Sequence, residues 1–156
     1  MAKRYTLTRT QRIPKPRAEV FAFFSDAQNL AKLTPTFVDF RILTPEPIHV
    51  REGARIEYRI ALHGVPVQWE TLIDMFVDGE KFSDTQLRGP YRFWHHLHEF
   101  RDIPGGTEMH DTVDYEIPLG MLGRVARRLF VARQLEQIFT FRQEVVTRTF
   151  GVFPAA

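Results

Sequence analysis

Residues 82–100 read Phe-Ser-Asp-Thr-Gln-Leu-Arg-Gly-Pro-Tyr-Arg-Phe-Trp-His-His-Leu-His-Glu-Phe, and this stretch decides the fold. Its pattern predicts two β-strands joined by a corner at Gly89-Pro90. Because side chains alternate along a strand, one face of the second strand carries two aromatic rings and two imidazoles, those of Trp94, Phe100, His96 and His98. An imidazole is costly to bury without a hydrogen-bond partner, so this face predicts a carboxylate, water, a metal or a ligand beside it.

The composition is typical of a folded protein with a large aromatic core. The chain has 156 residues, of which 44% are hydrophobic and 26% are charged, and its length predicts a single domain over residues 1–156. The 14 phenylalanines favour a wide core or a lined cavity. Cysteine is absent, which excludes a disulfide framework, a thiolate nucleophile and a cysteine-ligated metal.

The charge pattern does not indicate nucleic-acid binding. The net charge is +2, and no clustered basic stripe is interleaved with aromatic residues. No apolar run approaches the ~18 residues that span a bilayer, and the first residues lack the apolar core of a signal peptide. We therefore expect a cytoplasmic protein with no nucleic-acid partner, and the sequence leaves its oligomeric state open.

The secondary-structure signals follow one another in a simple order. An alternating strand is predicted at 5–13, and two short helices follow it, the first beginning near Pro16 and the second capped by Ser25 or Asp26. Strands separated by short turns come next, at 37–44, 54–62, 66–77, 81–88, 91–103 and 107–117. Short turns between successive strands predict an antiparallel meander.

From residue 121 to residue 150 the hydrophobic period becomes that of a helix. Apolar residues recur at helical spacing, at Leu122, Val125, Leu129, Leu135, Ile138, Phe139, Val145 and Val146. The pattern predicts one C-terminal helix of roughly eight turns. An antiparallel sheet twists and curves, so a helix of this length can lie along its concave face. A cavity between the two would be the default ligand site.

Two segments carry a resemblance to a known superfamily. The first comprises Phe82, Asp84, Gln86, Gly89-Pro90-Tyr91, Trp94, His96, His98 and Phe100. The second comprises Gly106-Thr107, Asp111, Val113, Tyr115, Pro118-Leu119-Gly120, Gly123, Phe130, Arg133, Ile138-Phe139, Arg142 and Phe150-Gly151. On these residues and on its element order the chain resembles the helix-grip superfamily, which includes START lipid-transfer domains, birch-pollen-allergen-like proteins and polyketide cyclase/dehydrase proteins. Within that superfamily it is similar to the bacterial SRPBCC group.

This resemblance implies an α+β helix-grip fold. Such a fold has a curved antiparallel sheet of about seven strands, two short helices, a long C-terminal helix and an apolar ligand cavity. The resemblance does not fix an activity, because one fold of this kind hosts many functions.

The hairpin after residue 103 predicts how the last two strands pair. With Phe100 opposite Met109, His98 lies opposite Asp111. This register gathers apolar side chains on one face, whereas a slip of one residue would bring charged side chains inward. Directly opposed residues have Cβ atoms about 4.5–5.5 Å apart, so His98 and Asp111 are predicted to hydrogen-bond. The carboxylate would then fix the imidazole tautomer and raise its pKa.

The same alternation predicts which side chains line the cavity. The aromatic ligand-binding residues are Tyr58, Trp69, Tyr91, Trp94 and Tyr115. The polar ones are Asp84, Gln86, His96, His98 and Asp111. A few convergent polar groups in an apolar pocket are typical of a site that orients a small molecule.

Four interpretations of these polar residues remain open. They could form a satisfied internal network that holds a few waters, or they could bind the polar end of an apolar ligand. They could also catalyse a cyclase or dehydratase reaction, with His98 as the general base and Asp111 as its orienting partner. Finally, His96, His98 and Asp111 imitate a two-histidine, one-carboxylate metal set, although each is explained without a metal.

Other ionisable residues are less informative. Four arginines in the segment 124–133, Arg124, Arg127, Arg128 and Arg133, form a basic band that could contact anionic lipid, although such a band is more often a solvated face. His95 is predicted to face away from the cavity, and His63 and His110 to lie in turns or at the surface.

Together these patterns predict a protein that binds a small or medium hydrophobic molecule between the sheet and the C-terminal helix. We expect no cofactor and no resident metal. The alternative is a cyclase- or dehydratase-like enzyme that uses His98 and Asp111 as an acid-base pair.

Overall fold

A curved antiparallel sheet forms most of the protein. The computed structural model describes residues 2–62 and 64–156, apart from the side chains of residues 127 and 128. Over those residues the strands are β1 (Arg4–Ile13), β2 (Arg41–Ile42), β3 (Arg55–Leu62), β4 (Val65–Val77), β5 (Lys81–Arg88), β6 (Phe93–Ile103) and β7 (Gly106–Glu116). Their order across the sheet is β1-β7-β6-β5-β4-β3-β2. The chain between β1 and β2 therefore crosses from one edge of the sheet to the other.

Short helical segments make that crossing. They are α1 (Arg17–Phe24), α2 (Asn29–Lys32) and one 3₁₀ turn (Thr36–Val38). α1 begins directly after Pro16, whose fixed φ suits the start of a helix. The Gln28 amide donates a hydrogen bond to the Asp26 carboxylate at 3.0 Å, which closes the turn before α2. The predicted cap by Ser25 or Asp26 is wrong for α2 itself, because its N-cap residue is Gln28 and no side chain caps it.

The predicted strand at 37–44 is wrong over most of its length. Residues 36–38 form the 3₁₀ turn, and strand pairing with β3 is limited to Arg41–Ile42, although the Leu43 and Thr44 amides also donate hydrogen bonds to the Glu57 carbonyl. Asp39 lies between them with φ 45°, and a backbone in this left-handed region cannot continue an extended strand. β6 also begins later than predicted, at Phe93, because the corner at Gly89-Pro90 extends through Arg92. The predicted turn at residue 63 lies outside the described residues.

The pairing of β6 with β7 has the predicted register. Phe100 lies opposite Met109, and His98 lies opposite Asp111. Alternate residues of both strands are buried, as the sequence pattern requires. This register places the polar side chains of the two strands on the inner face of the sheet.

The C-terminal helix has a break in its α-helical winding. It consists of α3 (Gly120–Ala126), a π-helical turn (Arg127–Val131) and α4 (Ala132–Phe150). α4 buries Leu135, Phe139 and Val146, which confirms the predicted apolar stripe for this part. No helix among the described residues is long and apolar enough to cross a membrane.

The predicted stripe is wrong for the first part of the helix, since Leu122, Val125 and Leu129 are each more than half exposed. A π-helical turn winds less per residue than an α-helix, so α3 is rotated by roughly a quarter turn relative to a continuous α-helix. Gly123 faces the protein instead, and a Cβ atom there would lie 2.1 Å from the Pro118 carbonyl oxygen.

The core has two parts. The phenylalanine cluster comprises Ile13, Val20, Phe21, Phe24, Leu33, Phe82, Phe100, Met109 and Val146. The tryptophan–tyrosine cluster comprises Val38, Ile60, Trp69, Trp94, Val113, Tyr115, Leu135 and Phe139. Both lie between the inner face of the sheet and the helices, and the polar residues of β5, β6 and β7 lie between them.

Candidate functional site

A cavity of about 190 Å³ lies between the sheet and α4. Its sheet side is mostly aromatic and aliphatic, formed by Ile56, Tyr58, Ile60, Leu62, Trp69, Thr71, Ile73, Tyr91 and Trp94. The opposite side is formed by α4 and the crossing segment, with Ala27, Leu30, Leu33, Val38, Leu135, Ile138 and Phe139. One group of ionisable side chains interrupts this apolar wall, namely Asp84, His96, His98 and Arg142, and Asp26 of the crossing segment also lines the cavity.

Three adjacent strands bring these groups together with Asp111. His96 Nε2 lies 2.8 Å from Asp111 Oδ1, and His98 Nε2 lies 3.4 Å from Asp84 Oδ2, so both contacts run diagonally between strands. His98 Nδ1 lies 3.0 Å from the same Asp111 oxygen, which is the contact predicted from direct opposition. The two imidazole centroids are 3.7 Å apart. These residues and Arg142 form one network, hereafter the His-Asp cluster.

Arg142 completes the cluster from the helix. Its Nη2 atom lies 3.6 Å from Asp111 Oδ1 and 3.3 Å from His98 Nδ1. The side chain is only 11% exposed, and its guanidinium lies 5.0 Å from the Phe24 ring centroid. A buried carboxylate needs such a partner, since an isolated buried charge is strongly unfavourable.

Arg142 was not among the site residues predicted from the sequence. The signal was present, because Leu135, Phe139, Arg142 and Val146 follow each other at intervals of three or four residues on the buried face of α4. An arginine at such a position has to find a buried acidic partner.

The cluster fixes the charge states of Asp111 and His96. Burial opposes ionisation of Asp111, but the Arg142 guanidinium and hydrogen bonds with both imidazoles outweigh it and hold the pKa of Asp111 well below its usual range. Burial and the neighbouring His98 lower the pKa of His96 to about 4, against the opposing effect of Asp111. His96 is therefore uncharged at neutral pH. Its Nε2 carries the hydrogen that Asp111 accepts, which leaves Nδ1 unprotonated.

The remaining polar groups are also perturbed by burial. Burial raises the pKa of Asp84, but its hydrogen bond with His98 and the nearby imidazoles outweigh burial, so the pKa is lowered overall. Thr71 donates a further hydrogen bond to Asp84 at 3.1 Å. Burial raises the pKa of the Tyr58 phenol well above its usual value, and the Asp84 charge adds to this. Burial also raises the pKa of Tyr91. Both phenols are neutral hydroxyl donors at pH 7.

Trp69 carries the one buried donor of the described side chains that lacks a partner. The residue is 5% exposed and lines the cavity. Its Nε1–H has no hydrogen-bond acceptor among the described residues. Buried N–H groups are almost always paired, so an unpaired one in a cavity wall suits a ligand that brings an acceptor.

Comparison with protein families identifies the chain. The sequence profile of the polyketide cyclase / dehydrase and lipid transport family matches residues 13–140. The chain belongs to this family. No curated protein is a significant sequence match.

Solved structures with the same fold include members of several branches of the superfamily. The chain is similar to the Zhui aromatase/cyclase from Streptomyces sp. R1128, with 15% identity, a TM-score of 0.72, and 94% of this chain and 93% of that one covered. It is also similar to a START superfamily protein from Mycobacterium smegmatis, with 13% identity, a TM-score of 0.68, and coverage of 92% and 98%. Ara h 8.0201 matches at 15% identity and a TM-score of 0.61, covering 94% of this chain and 99% of its own. These likenesses show the helix-grip fold.

In this member of the family, most of the predicted ligand-binding residues lie in the cavity wall. They are Tyr58, Trp69, Asp84, Tyr91, Trp94, His96 and His98. Asp111 lies behind the imidazoles and is not part of the wall. Tyr115 also lies off the wall, with its ring centroid 5.8 Å from that of Tyr91.

Gln86 also lies off the wall, because its amide closes the corner before β6. The Gln86 side chain donates a hydrogen bond to the Tyr91 carbonyl at 2.7 Å and accepts one from the Tyr91 amide at 3.2 Å. A Cβ atom on Gly89 would lie 2.4 Å from the Gln86 amide oxygen, so this arrangement requires glycine. Gln86 therefore positions Tyr91 in the cavity wall.

Two other histidines, His95 and His110, lie away from the cavity. His95 Nε2 is 3.4 Å from the Asp74 carboxylate on the outer face of the sheet. His110 shares a hydrogen bond of 2.7 Å with Thr10 in an exposed position. His63 lies outside the described residues.

Three residues of the cluster are close enough to hold a metal ion, but their carboxylate is Asp84 and not the predicted Asp111. Asp84, His96 and His98 each offer one ligand atom, and these atoms lie within 4.8 Å of one another. Asp111, the predicted third ligand, is instead held by both imidazoles and by Arg142. Since a guanidinium already supplies positive charge, the described cluster is accounted for without a metal.

Proposed function

We propose that the protein binds a small, mostly apolar molecule in the cavity, that an acceptor on the ligand meets the Trp69 N–H, and that a ligand hydroxyl, where there is one, donates to Asp84 or to His96 Nδ1. The observation that supports this most strongly is the Trp69 donor, buried in the wall of a cavity and without an acceptor among the described residues. The family, whose description includes lipid transport, supports the same class of function.

The cavity volume restricts the ligand to the small end of the predicted range. Cavities of about 150 Å³ admit benzene, whereas drug-sized ligands occupy roughly 300–1,000 Å³. At about 190 Å³, this cavity suits one substituted ring. A larger ligand would require α4 or the crossing segment to move.

The polar groups in the wall define what the ligand should offer. Trp69, Tyr58 and Tyr91 supply neutral donors, so the ligand should carry an acceptor such as a carbonyl oxygen. Asp84 is ionised and 17% exposed in the wall, so an anionic group on the ligand would be repelled if it lay beside Asp84. We therefore expect a neutral ring compound with a carbonyl or hydroxyl group.

A matched pair of probes tests this proposal. Acetophenone has a ring and a carbonyl, and cumene has nearly the same shape without an acceptor. Calorimetric titration should show saturable binding of acetophenone, and tighter binding than of cumene by roughly fivefold, the value of one hydrogen bond. Native mass spectrometry of the purified protein should also reveal any co-purified compound of this class.

A cavity-filling variant supplies the control. Ala27 is buried in the cavity wall, so Ala27→Phe should abolish acetophenone binding. Val152 is 76% exposed and lies away from the cavity, so Val152→Phe should bind like the wild type. Equal binding by all three proteins, or no binding of either probe to the wild type, would remove the proposal.

A cyclase- or dehydratase-like reaction is the second candidate, and one observation favours it. His96 is neutral, lines the cavity, and is hydrogen-bonded through Nε2 to the ionised Asp111. That arrangement leaves an unprotonated Nδ1 to act as a general base. His98 and Asp111, the predicted acid-base pair, belong to the same network, and a structurally similar protein is an aromatase/cyclase.

Substitution of each imidazole separates the two candidates. If the protein is an enzyme, His96→Gln and His98→Gln should reduce turnover of an identified substrate by at least roughly a hundredfold, the usual contribution of a general base. Binding of the substrate should change much less. Turnover that is unchanged in both variants would rule out this acid-base role.

A further inference from the structure

The segment just before α4 exposes a row of large apolar side chains. Leu119, Met121, Leu122, Val125 and Leu129, here called the apolar face, are each between 54% and 76% exposed. Single exposed apolar residues are ordinary, but a contiguous group of this size marks an interaction site. The π-helical turn and the buried Gly123 fix this outward orientation, as described above.

The segment that carries the apolar face contains positive charges and no negative ones. Between Glu116 and Glu136 the sequence contains four arginines, Arg124, Arg127, Arg128 and Arg133, and no acidic residue. The flanking acids are engaged elsewhere, because Glu116 pairs with Arg4 and Glu136 pairs with Arg9. Arg124 and Arg133 are exposed, and neither forms an ion pair with the side chains that the structure describes.

We propose that the apolar face docks on an anionic lipid bilayer. An amphipathic helix with exposed leucines and flanking arginines lies in a membrane interface, with its apolar side chains inserted and its cations near the lipid phosphates. Charge complementarity selects anionic over zwitterionic lipid. The helix does not need to span the bilayer for this.

The position of the apolar face relates it to the cavity. Leu129 lies in a groove with Phe37, Arg133 and Gln134, and Gln134 also lines the cavity under α4. A bilayer docked on this face would therefore lie beside the cavity. Docking itself does not depend on a cavity ligand.

Vesicle co-sedimentation tests the proposal. The wild type should sediment with vesicles of equal parts phosphatidylcholine and phosphatidylglycerol, and much less with phosphatidylcholine alone, and added salt should weaken the binding. The double variant Leu122→Asp/Leu129→Asp and the double variant Arg124→Glu/Arg133→Glu should each reduce binding by at least roughly tenfold.

Matched variants elsewhere on the surface serve as controls. Leu43→Asp/Val152→Asp changes two exposed apolar residues outside the face, and Arg88→Glu/Arg148→Glu changes two exposed arginines outside the segment. Both should bind vesicles like the wild type, and so should Ala27→Phe, which fills the cavity. The last result separates docking from the proposed ligand binding.

Three results would overturn the proposal. One is absence of binding to the anionic vesicles, and another is equal loss of binding in the face variants and their controls. The third is a wild-type dimer in analytical ultracentrifugation that Leu122→Asp/Leu129→Asp converts to a monomer while vesicle binding is absent. That result would assign the apolar face to an interface between copies of this chain.

Discussion

The two core clusters lie side by side on the same sheet, but they differ in how completely they pack. In the phenylalanine cluster, Phe21 contacts Phe82 and Phe100 edge-to-face, with ring centroids 5.8 Å and 5.3 Å apart. Three of its nine buried members line the cavity, against six of eight in the tryptophan–tyrosine cluster. The cavity is therefore mainly a property of the second cluster.

This difference shows that the residues that pack most completely lie in one cluster, and that most of the residues that line the candidate site lie in the other. Phenylalanine rings carry no polar atom and pack against one another without needing a partner. Tryptophan and tyrosine need hydrogen-bond partners when buried, and here they surround space that a ligand could fill. The His-Asp cluster lies between the two regions and satisfies most of its own polar groups.

The largest expected effect on stability comes from removing Arg142 from the His-Asp cluster, which lies between the two regions. Arg142→Met would leave Asp111 buried without its cation, and breaking such a pair typically reduces the free energy of unfolding by about 3–5 kcal/mol. Urea denaturation measures this. In the double variant Arg142→Met/Asp111→Asn the two losses should be less than additive, because the second change removes the unpaired charge. A loss below about 1 kcal/mol in Arg142→Met would contradict the cluster's geometry.

The pH dependence of stability is the next largest effect. His96 in the unfolded chain binds its proton near pH 6.5, but in the folded protein only near pH 4. Between these values the unfolded state binds more protons, so the free energy of unfolding falls as the pH is lowered from about 6.5 to about 4, by up to roughly 3 kcal/mol. Below that range, protonation of Asp111 and Asp84, whose pKa values are lowered on folding, reduces stability further.

Variants at two histidines check the source of this slope. His96→Gln should flatten the change in unfolding free energy between pH 6.5 and pH 4. His110→Gln, on the outer face of β7, is the matched control and should keep the wild-type slope. If His96→Gln keeps the full slope, the titrating group lies elsewhere.

A matched pair of isoleucines compares the packing of the two clusters directly. Ile13 lies in the phenylalanine cluster at 1% exposure, and Ile60 lies in the cavity wall. The loss of unfolding free energy should approach the upper end of the usual range of about 2–5 kcal/mol in Ile13→Ala, and the lower end in Ile60→Ala. The reason is that Ile60 has few contacts to lose on the side that faces the cavity. Equal losses in urea denaturation would mean that the second cluster packs as tightly as the first.

The smallest expected effect on stability comes from removing the Trp69 Nε1–H, the donor that has no acceptor among the described residues. Trp69→Phe removes the Nε1–H that has no acceptor, so the free energy of unfolding should change by no more than about 1 kcal/mol. Acetophenone affinity should fall roughly fivefold, and cumene affinity should not fall by this factor, because cumene has no acceptor. Calorimetric titration of both probes measures the difference, and an equal fall for both would assign the loss to ring size.

The sequence predicted those features that depend on local periodicity. The alternation of β6 and β7 was sufficient to predict the pairing of His98 with Asp111, because a one-residue slip would have buried charged side chains. The buried face of α4 was predicted from helical spacing in the same way. The family resemblance added the overall architecture.

Features that depend on longer-range geometry could not be predicted. The bond from His96 to Asp111 is diagonal between strands, and the contact from Arg142 joins residues on the helix and the sheet. Neither follows from the pairing register alone. The π-helical turn redirects Leu122 and Leu129 to solvent although their spacing is that of a buried stripe.

The indole N–H signals of the two tryptophans provide the most direct test of the central claim that the cavity binds a ligand through an acceptor. In a proton–nitrogen NMR titration with acetophenone, we expect the Trp69 indole signal to move saturably downfield in the wild type, as a new hydrogen bond forms. The same titration of Ala27→Phe should leave it in place. A Trp69 signal that stays fixed in the wild type, or moves equally in both proteins, would contradict the account.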